Sequence, residues 1–458
     1  MDSQTIVAPM TPAGVSAVAA LRVSGTRVRD VVLSLFGERA AKSLEPRRAS
    51  LGTARDPKSG KLIDSLLYLF FEGPNSYTGE DVLELYPHGN PLIVRELLQV
   101  IRALDGVRLA EPGEFTRRAF LNGKMDLAQA ESVADVIHSA NRAELENAHR
   151  LLGGALSKKV ATLAEQVKDI SARLELDVDF AEEEADPDFA GWETRFVSVR
   201  ESIQKILESF HNKASLGKLP LAVLYGAPNA GKSSLVNALL GEDRILVSDI
   251  PGTTRDFVEV RLFLPGGEIR LVDTAGIADK ATDALDALSM QKSREILEEA
   301  DMKILVLDGA HASENDSHVI ARERSDRSNL NPDLIVYSKS DLCASAPGQA
   351  EKSPCDALQV SSKTGEGLDA LRTAINGRLF KDSGNSEDFW ITSEREKSCL
   401  EEALAGVDRA LDLLRNNPAV ELLAFEMQVV RRALQSITGE ISSEDILQSI
   451  FAGFCIGK

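Results

Sequence analysis

The hydrophobic pattern of the chain changes character three times. Over residues 1 to about 120, short apolar runs alternate with Gly/Pro-rich punctuation: Thr11-Pro12-Ala13-Gly14, Gly73-Pro74-Asn75 and Glu111-Pro112-Gly113. Thr5–Ala8, Ser16–Val23 and Ser65–Phe71 read as strands, and Arg27–Phe36 and Pro91–Leu104 as helices. Interleaved strands and helices with such turns predict an α+β module. From about Leu127, Ala, Leu, Glu and Lys dominate, and no proline occurs until Pro187. Ala128, Val133, Val136 and Ile137 recur at helical spacing, which predicts long helices through about Ser215, broken at the acidic stretch Asp177–Asp188.

From Leu219 to about Phe380 apolar runs return at Leu221–Tyr225, Ile269–Val272, Ile304–Leu307, Leu334–Tyr337 and Leu358–Val360. The stretches between them are mostly long enough for crossover helices, which predicts a doubly wound parallel sheet. From about Ser393 the texture is helical again, through Leu400–Leu414 and Glu421–Ser436. A sheet domain therefore reads as inserted between two helical flanks, which would pack together as one helical domain. The expected boundaries are 1–122, 123–216, 217–381 and 382–458.

Gly226-Ala-Pro-Asn-Ala-Gly231-Lys232-Ser233 fits G-x-x-x-x-G-K-[ST], directly follows a strand pattern and opens a helix pattern, Leu235–Leu240. The glycines let backbone N–H groups curl around phosphates, and the helix N-terminus adds a favourable dipole. Lys232 is placed to reach the β- and γ-phosphates and Ser233 to ligate Mg²⁺. About twenty residues on lies Gly252-Thr253-Thr254-Arg255-Asp256, where a switch loop would supply a Mg²⁺-binding threonine. Asp273-Thr274-Ala275-Gly276 follows the Ile269–Val272 run; Asp273 would hold Mg²⁺ through water and Gly276 would donate its N–H to the γ-phosphate.

Ser338-Lys339-Ser340-Asp341 ends the Leu334–Tyr337 run, where a GTPase usually carries Asn-Lys-x-Asp. A carboxylate at Asp341 accepts from guanine N–H groups that adenine does not offer, and Lys339 would pack over the base. Ser338 departs from the pattern; its shorter hydroxyl still has the chemistry to tie this turn to the phosphate loop. Ser361-Ser362-Lys363 matches the last element, where a backbone N–H meets the guanine oxygen. The ordered set predicts GTP binding and hydrolysis.

The flanks narrow the family. The chain ends Phe454-Cys-Ile-Gly-Lys458, preceded by Ile437-Thr-Gly-Glu440. Near its start it carries Thr5-Ile-Val-Ala8, Leu21-Arg-Val-Ser-Gly25, Ser76-Tyr-Thr-Gly-Glu-Asp81, Pro112-Gly-Glu-Phe-Thr116 and Arg118-Ala-Phe-Leu-Asn-Gly-Lys124. From about Thr5 to Lys458 the chain resembles the tRNA-modification GTPase MnmE (TrmE) family. That resemblance implies an N-terminal α+β domain that binds a tetrahydrofolate derivative, in its 5-formyl or methylene form, and mediates homodimerisation. It implies a helical domain built from both flanks and an inserted Ras-like α/β GTPase domain. It also implies action with the FAD-dependent partner MnmG (GidA), in a heterotetramer, to add a carboxymethylaminomethyl or aminomethyl group at carbon 5 of the wobble uridine of certain tRNAs in the cytoplasm.

Residue by residue, the resemblance places nucleotide contacts on Asn229, Ala230, Gly231, Lys232, Ser233 and Ser234. It continues them on Ser248, Asp249, Ile250, Pro251, Gly252, Thr253 and Thr254, and on Asp273, Thr274, Ala275 and Gly276. The base contacts fall on Ser338, Lys339, Asp341, Ser361, Ser362 and Lys363. Mg²⁺ falls to Ser233 and Thr254. An activating K⁺, in place of an arginine finger, falls to Asn229, Ser248, Ile250 and Thr253; oxygen ligands suit this hard cation. Folate falls to Arg22, Glu84, Lys124 and Lys458, with Cys455 nearby. Lys232, Thr254 and Asp286 would carry catalysis. The water-orienting Glu of the family aligns without a gap on Leu285, which cannot polarise water, and with one inserted residue on Asp286.

Composition and charge limit the remaining classes. The chain has 458 residues, enough for two or three domains, and a formal net charge of −19. That charge argues against bulk attraction to nucleic acid or anionic membrane. Residues 1–124 hold 16 Lys/Arg against 14 Asp/Glu and the rest 36 against 57, so the first segment is the least repulsive to RNA. The four cysteines have no CxxC spacing, which argues against a zinc site or disulfide framework. No signal pattern opens the chain, and no apolar run reaches the ~18 residues of a membrane span. Two other readings compete. One is a GTP-switched RNA-binding assembly factor of the ribosome-maturation type, which usually carries a basic appendage where this chain is acidic. The other is a non-hydrolysing nucleotide-bound scaffold, suggested by Leu285 and Ser338.

Overall fold

The computed structural model describes residues 4–179, 189–211, 219–227, 229–241, 258–273, 295–311, 332–342, 357–380, 389–416 and 419–457. The chain divides into two compact units: residues 1–138, 147–212 and 388–458, and residues 139–146 and 213–387.

The first unit opens with a six-stranded sheet. Its strands are β1 (Thr5–Pro9), β3 (Leu21–Ser24), β4 (Ser50–Arg55), β5 (Leu62–Phe71), β6 (Val82–Tyr86) and β8 (Val107–Leu109), in the order β4-β5-β6-β3-β1-β8. Helices α1 (Val28–Phe36) and α3 (Pro91–Arg102) contribute Val28, Val31, Val32, Leu35, Leu97 and Ile101 to a core shared with Val7, Leu21, Val23, Leu66, Phe70, Leu83 and Leu85. The short α2 (Glu38–Lys42) follows α1 and packs Ala40 and Ala41 on the same core. Alternate strand positions face the opposite side, where Ile6 and Ala8 pack with Phe115 of α4 (Glu114–Leu121) and Tyr77.

The expected single strand Ser16–Val23 is two strands. β2 (Ser16–Val18) pairs with β7 (His88–Gly89), whereas β3 pairs with β1 and β6. The chain changes sheets at Ala19–Ala20, and the Ala19 N–H goes to the Pro87 carbonyl. Strands β4 and β6 and helix α4 lay outside the sequence reading.

The helical part contains α5 (Leu127–His138), α6 (Arg142–Leu152), α7 (Ala155–Asp179) and α8 (Phe189–Glu208) before the insertion. After it come α11 (Glu394–Asn416), α12 (Val420–Thr438) and α13 (Glu444–Ala452). Leu156, Val160, Leu163, Val167, Ile170 and Leu174 recur every three or four residues and form one buried stripe of α7. It joins Phe196, Val199 and Ile203 of α8, Leu400, Ala403 and Val407 of α11, and Leu423, Met427, Val430 and Leu434 of α12 in one core. A Cβ at Gly406 would lie 2.8 Å from Val430 Cγ2, so glycine permits the close approach of α11 to α12. The two flanks thus pack as one helical core. α7 ends at Asp179 and α8 begins at Phe189; residues 180–188 of the acidic stretch lie outside the described residues.

The second unit holds a sheet in the order β10-β11-β9-β12-β13-β14: β9 (Leu221–Tyr225), β10 (Val258–Leu264), β11 (Gly267–Asp273), β12 (Met302–Asp308), β13 (Leu334–Ser338) and β14 (Ala357–Gln359). All five residues of β9 are buried, as expected of a central parallel strand covered on both faces. Ala222 and Leu224 face α9 (Lys232–Leu240) and α10 (Leu368–Leu379); Leu221, Val223 and Tyr225 pack on the other side with Leu297, Leu305 and Ile335. The expected all-parallel sheet is corrected at its edge, because β10 runs antiparallel to β11. Its Val-Glu-Val-Arg-Leu-Phe-Leu sequence alternates and so lacks the apolar run by which the other strands were read.

Candidate nucleotide site

The site is built at the carboxyl ends of β9, β11, β12 and β13, the usual ligand edge of a doubly wound sheet. Gly226 follows β9, and Gly231 leads into α9. Gly226 has φ +144°, and a Cβ there would come within 2.2 Å of the Val306 carbonyl oxygen, so only glycine fits beside β12. Gly231, at φ +89°, is the N-cap of α9. The Lys232 side chain is buried, and its Nζ donates to the carbonyls of Gly226 at 2.9 Å and Ala227 at 2.8 Å. The ammonium therefore lies folded over the loop whose N–H groups would cradle phosphates.

Ser233 Oγ donates to Asp273 Oδ2 at 2.5 Å, joining the first turn of α9 to the end of β11. A hydroxyl and a carboxylate converging beside a phosphate loop are the hard-oxygen donors that Mg²⁺ takes. Asn229 holds φ +60°, and its carbonyl accepts from Lys339 Nζ at 3.0 Å. Lys339 also pairs with Asp308 Oδ2 at 2.7 Å. Asp308 was absent from the sequence reading; its only local signal is an acidic residue ending the apolar β12 run.

The residues expected to read the base lie together. Asp341 is exposed, and its Oδ1 accepts from the buried Ser361 hydroxyl at 2.7 Å. Ser361 Oγ in turn accepts the N–H groups of Lys363 and Thr364 at 3.3 and 3.2 Å. Ser338 Oγ donates to the Ala230 carbonyl at 2.6 Å and lies 3.1 Å from that of Leu307. The hydroxyl thus makes the tie to the phosphate loop. Of the other expected residues, Ser248, Asp249, Ile250, Pro251, Gly252, Thr253, Thr254, Thr274, Ala275, Gly276, Leu285 and Asp286 lie outside the described residues, as does Lys458.

In the first unit Arg22 and Glu84 are cross-strand partners on β3 and β6. Arg22 Nε and Nη2 donate to Glu84 Oε1 at 3.1 and 2.8 Å, and the guanidinium lies 4.8 Å from the Tyr77 ring centroid. Arg22 Nη1 is buried with no hydrogen-bond partner among the described residues. The Tyr86 hydroxyl donates to Glu84 Oε2 at 2.5 Å; burial and the adjacent Glu84 carboxylate push its pKa up to about 12. Lys124 is exposed and donates to the Pro74 carbonyl at 2.9 Å. The end of the chain lies against β1, where a Cβ on Gly457 would meet the Pro9 carbonyl oxygen at 2.3 Å. Cys455 Sγ is exposed, 3.9 Å from His138 Nε2.

Comparison with known proteins places this architecture. Residues 5–124 match the family model for the GTP-binding protein TrmE N-terminus, and residues 127–455 match the MnmE helical domain. The tRNA modification GTPase MnmE of Photobacterium profundum is 35% identical over 461 residues, covering 100% of this chain and 99% of that protein. Solved structures include an Era variant of Aquifex aeolicus bound to GDP and aluminium fluoride, with 23% identity, 41% of this chain and 67% of that chain covered, and a TM-score of 0.27. Another is the G domain of the T. maritima FeoB iron transporter, with 24% identity, 35% and 99% coverage, and a TM-score of 0.26. At those scores the structural likenesses carry no weight here, whereas the sequence matches span the chain from end to end. With its phosphate loop, helical flanks and amino-terminal domain all accounted for, the chain belongs to the MnmE (TrmE) family of tRNA modification GTPases.

Proposed function

We propose that this chain binds and hydrolyses GTP to drive modification of the wobble uridine of certain tRNAs, acting with an FAD-dependent MnmG-type partner in the cytoplasm. The observation that carries the hydrolytic part is the convergence of Lys232, the Ser233–Asp273 pair and the Asp341–Ser361 pair on one sheet edge. Lys232 neutralises β- and γ-phosphate charge. Ser233 would ligate Mg²⁺ and Asp273 would hold it through water, and the ion would spread the charge of the reacting phosphates. Asp341, oriented by Ser361, accepts from guanine N–H groups. Thr254 completes the Mg²⁺ set and Asp286 orients water; both assignments come from the family pattern.

The same pattern gives K⁺ as the activating cation, held by Asn229 with Ser248, Ile250 and Thr253. Its charge would offset the negative charge that develops between the β- and γ-phosphates. The test is two-fold. GTP hydrolysis by the purified chain should rise at least tenfold when K⁺ replaces Na⁺ at equal ionic strength. The tRNA of a strain lacking the chain should lose the modified wobble uridine in nucleoside analysis. Unchanged wobble uridine in that strain would overturn the reading and leave the ribosome-maturation alternative.

We further propose that a tetrahydrofolate derivative binds beside Arg22 and Glu84. The chemistry fits: a pterin offers donors to a carboxylate, and Arg22 Nη1 is a buried donor awaiting an acceptor. Lys124 and Lys458 would meet the glutamate tail. Titrating the full chain with 5-formyltetrahydrofolate should give saturable binding that Arg22→Ala weakens by at least tenfold; equal affinity would remove Arg22 from the site. A homodimer belongs to the same reading. Leu51 and Leu67, cross-strand partners left exposed on β4 and β5, offer apolar surface for a second copy.

A further inference from the structure

Glu84 uses most of its acceptor capacity on its own neighbours. An ionised carboxylate offers about four acceptor sites, shared between its two oxygens. Arg22 Nε and Nη2 both donate to Oε1, at 3.1 and 2.8 Å, and the Tyr86 hydroxyl donates to Oε2 at 2.5 Å. Counted over the described residues, Oε1 is filled and Oε2 keeps a single open site.

These donors are not held equally. The Arg22 and Glu84 side chains are each 12% exposed and face each other across β3 and β6. Two rings cover the guanidinium, with centroids at 4.8 Å for Tyr77 and 5.7 Å for Phe115. The Tyr77 hydroxyl is itself tied to Thr116 Oγ1 at 2.9 Å. Packing and charge together therefore keep Arg22 on Glu84. Tyr86 lies two residues along β6 on the same face, half-buried, opposite the exposed Leu67 of β5. Among the described residues its hydroxyl bonds to Glu84 alone. Burial and the Glu84 carboxylate keep that phenol protonated well above neutral pH, so it stays a donor.

A pterin carries neighbouring N–H donors along one edge. To bring more than one of them to Glu84, it must displace a donor already there, and Tyr86 is the one free to leave. We infer that Tyr86 is a positioning residue that restrains folate binding: by occupying Glu84 Oε2 it leaves the carboxylate one acceptor site for the pterin. A restrained hold suits a carrier that must leave after each turnover. The sign of the effect sets this role apart from simple support. Loss of a supporting hydrogen bond loosens a site and weakens binding. Loss of a competing donor leaves Oε2 under-satisfied in the free chain, and the ligand then satisfies it. This inference rests on the proposed folate site and adds to it a residue absent from the sequence reading.

The experiment is calorimetric titration of the purified full chain with 5-formyltetrahydrofolate, with parent and variant compared at the same oligomeric mass by light scattering. Tyr86→Phe should tighten binding by about three- to tenfold, the worth of one hydrogen bond. p-Aminobenzoylglutamate is the tail of the ligand without its pterin. It brings no pterin donor to Glu84, so as a competitor it should bind parent and variant alike, within about twofold. If the phenylalanine variant does not fold, Tyr86→Leu also lacks the donor and should tighten binding in the same direction. Weaker binding in the folded variant, or a gain below about twofold, would overturn the inference. So would an equal gain for p-aminobenzoylglutamate. A parent chain that does not bind 5-formyltetrahydrofolate would overturn the folate-site reading itself.

Discussion

Lys232→Ala is expected to slow GTP hydrolysis by two to three orders of magnitude while the chain stays folded. The ammonium sits at the first residue of α9 and is held at 2.9 and 2.8 Å from the carbonyls of Gly226 and Ala227. Those carbonyls keep the ammonium over the loop, where in the proposed site it would meet β- and γ-oxygens as charge shifts between them. A preorganised donor aimed at developing charge is worth about a factor of 10²–10³ in rate when removed. The fold depends little on it, because β9 and α9 are anchored by Ala222, Leu224, Leu235, Val236 and Leu239 in the sheet core. Single-turnover release of phosphate, with far-ultraviolet circular dichroism as the control, reads the result. A folded variant within tenfold of the parent rate would remove Lys232 from the chemistry.

Arg395→Ala is expected to give the largest loss of stability, about 3–5 kcal/mol in the first unit. Arg395 on α11 meets both carboxylate oxygens of Glu131 on α5, at 2.9 and 3.1 Å. It also donates to the carbonyls of Ser436 and Ile437 in the last turn of α12, at 2.7 and 3.0 Å. One guanidinium therefore satisfies a half-buried anion and two helix-end carbonyls and joins the helices of both flanks. Removing it leaves Glu131 uncompensated beside Glu396, which is 3% exposed. The two tryptophans, Trp192 and Trp390, both belong to the first unit, so fluorescence in a urea titration follows this unit alone. A midpoint unchanged from the parent would refute the assignment.

The same cluster sets a pH dependence. Burial first, and the Glu131 carboxylate next, raise the Glu396 carboxyl well above its ordinary value; Arg395 opposes the shift. The folded state therefore holds this proton more tightly than the unfolded chain. The stabilisation is complete below the ordinary glutamate range, near pH 4.5, and is lost as pH rises from there towards the folded value. In Arg395→Ala the decline should extend further upward, because the opposing charge is gone. Titrating the urea midpoint from about pH 5 to 8 in both proteins tests the sign.

How much of this was readable in advance depends on the range of the interaction. The phosphate loop, its flanking β9 and α9, and the stripes of α7, α11 and α12 are written locally. A five-residue apolar run, a glycine pattern and a three-or-four spacing each state their structure without reference to distant residues. The antiparallel edge strand β10 was missed because its apolar and polar residues alternate instead of forming a run. Ser16–Val23 was read as one strand because composition does not say which partner each half takes; β7 and the β1–β6 pair compete for it. Asp308 went unnoticed for a similar reason, since its meaning lies in Lys339, 31 positions away.

The sequence by itself determined that a phosphate loop stands in a strand-to-helix turn, that guanine-type elements follow in order, and that helical flanks surround the sheet. Those are consequences of backbone sterics, periodicity and residue chemistry acting over a few positions. The tertiary structure decided what those residues do to one another. It placed Ser233 against Asp273, Ser361 against Asp341, and Ser338 and Lys339 against two carbonyls of the loop. It left Arg22 Nη1 buried beside Glu84 without a partner among the described residues. Each of these pairings forms only once long-range strand order has been chosen, and the burial that gives it strength comes from the packed sheet around it.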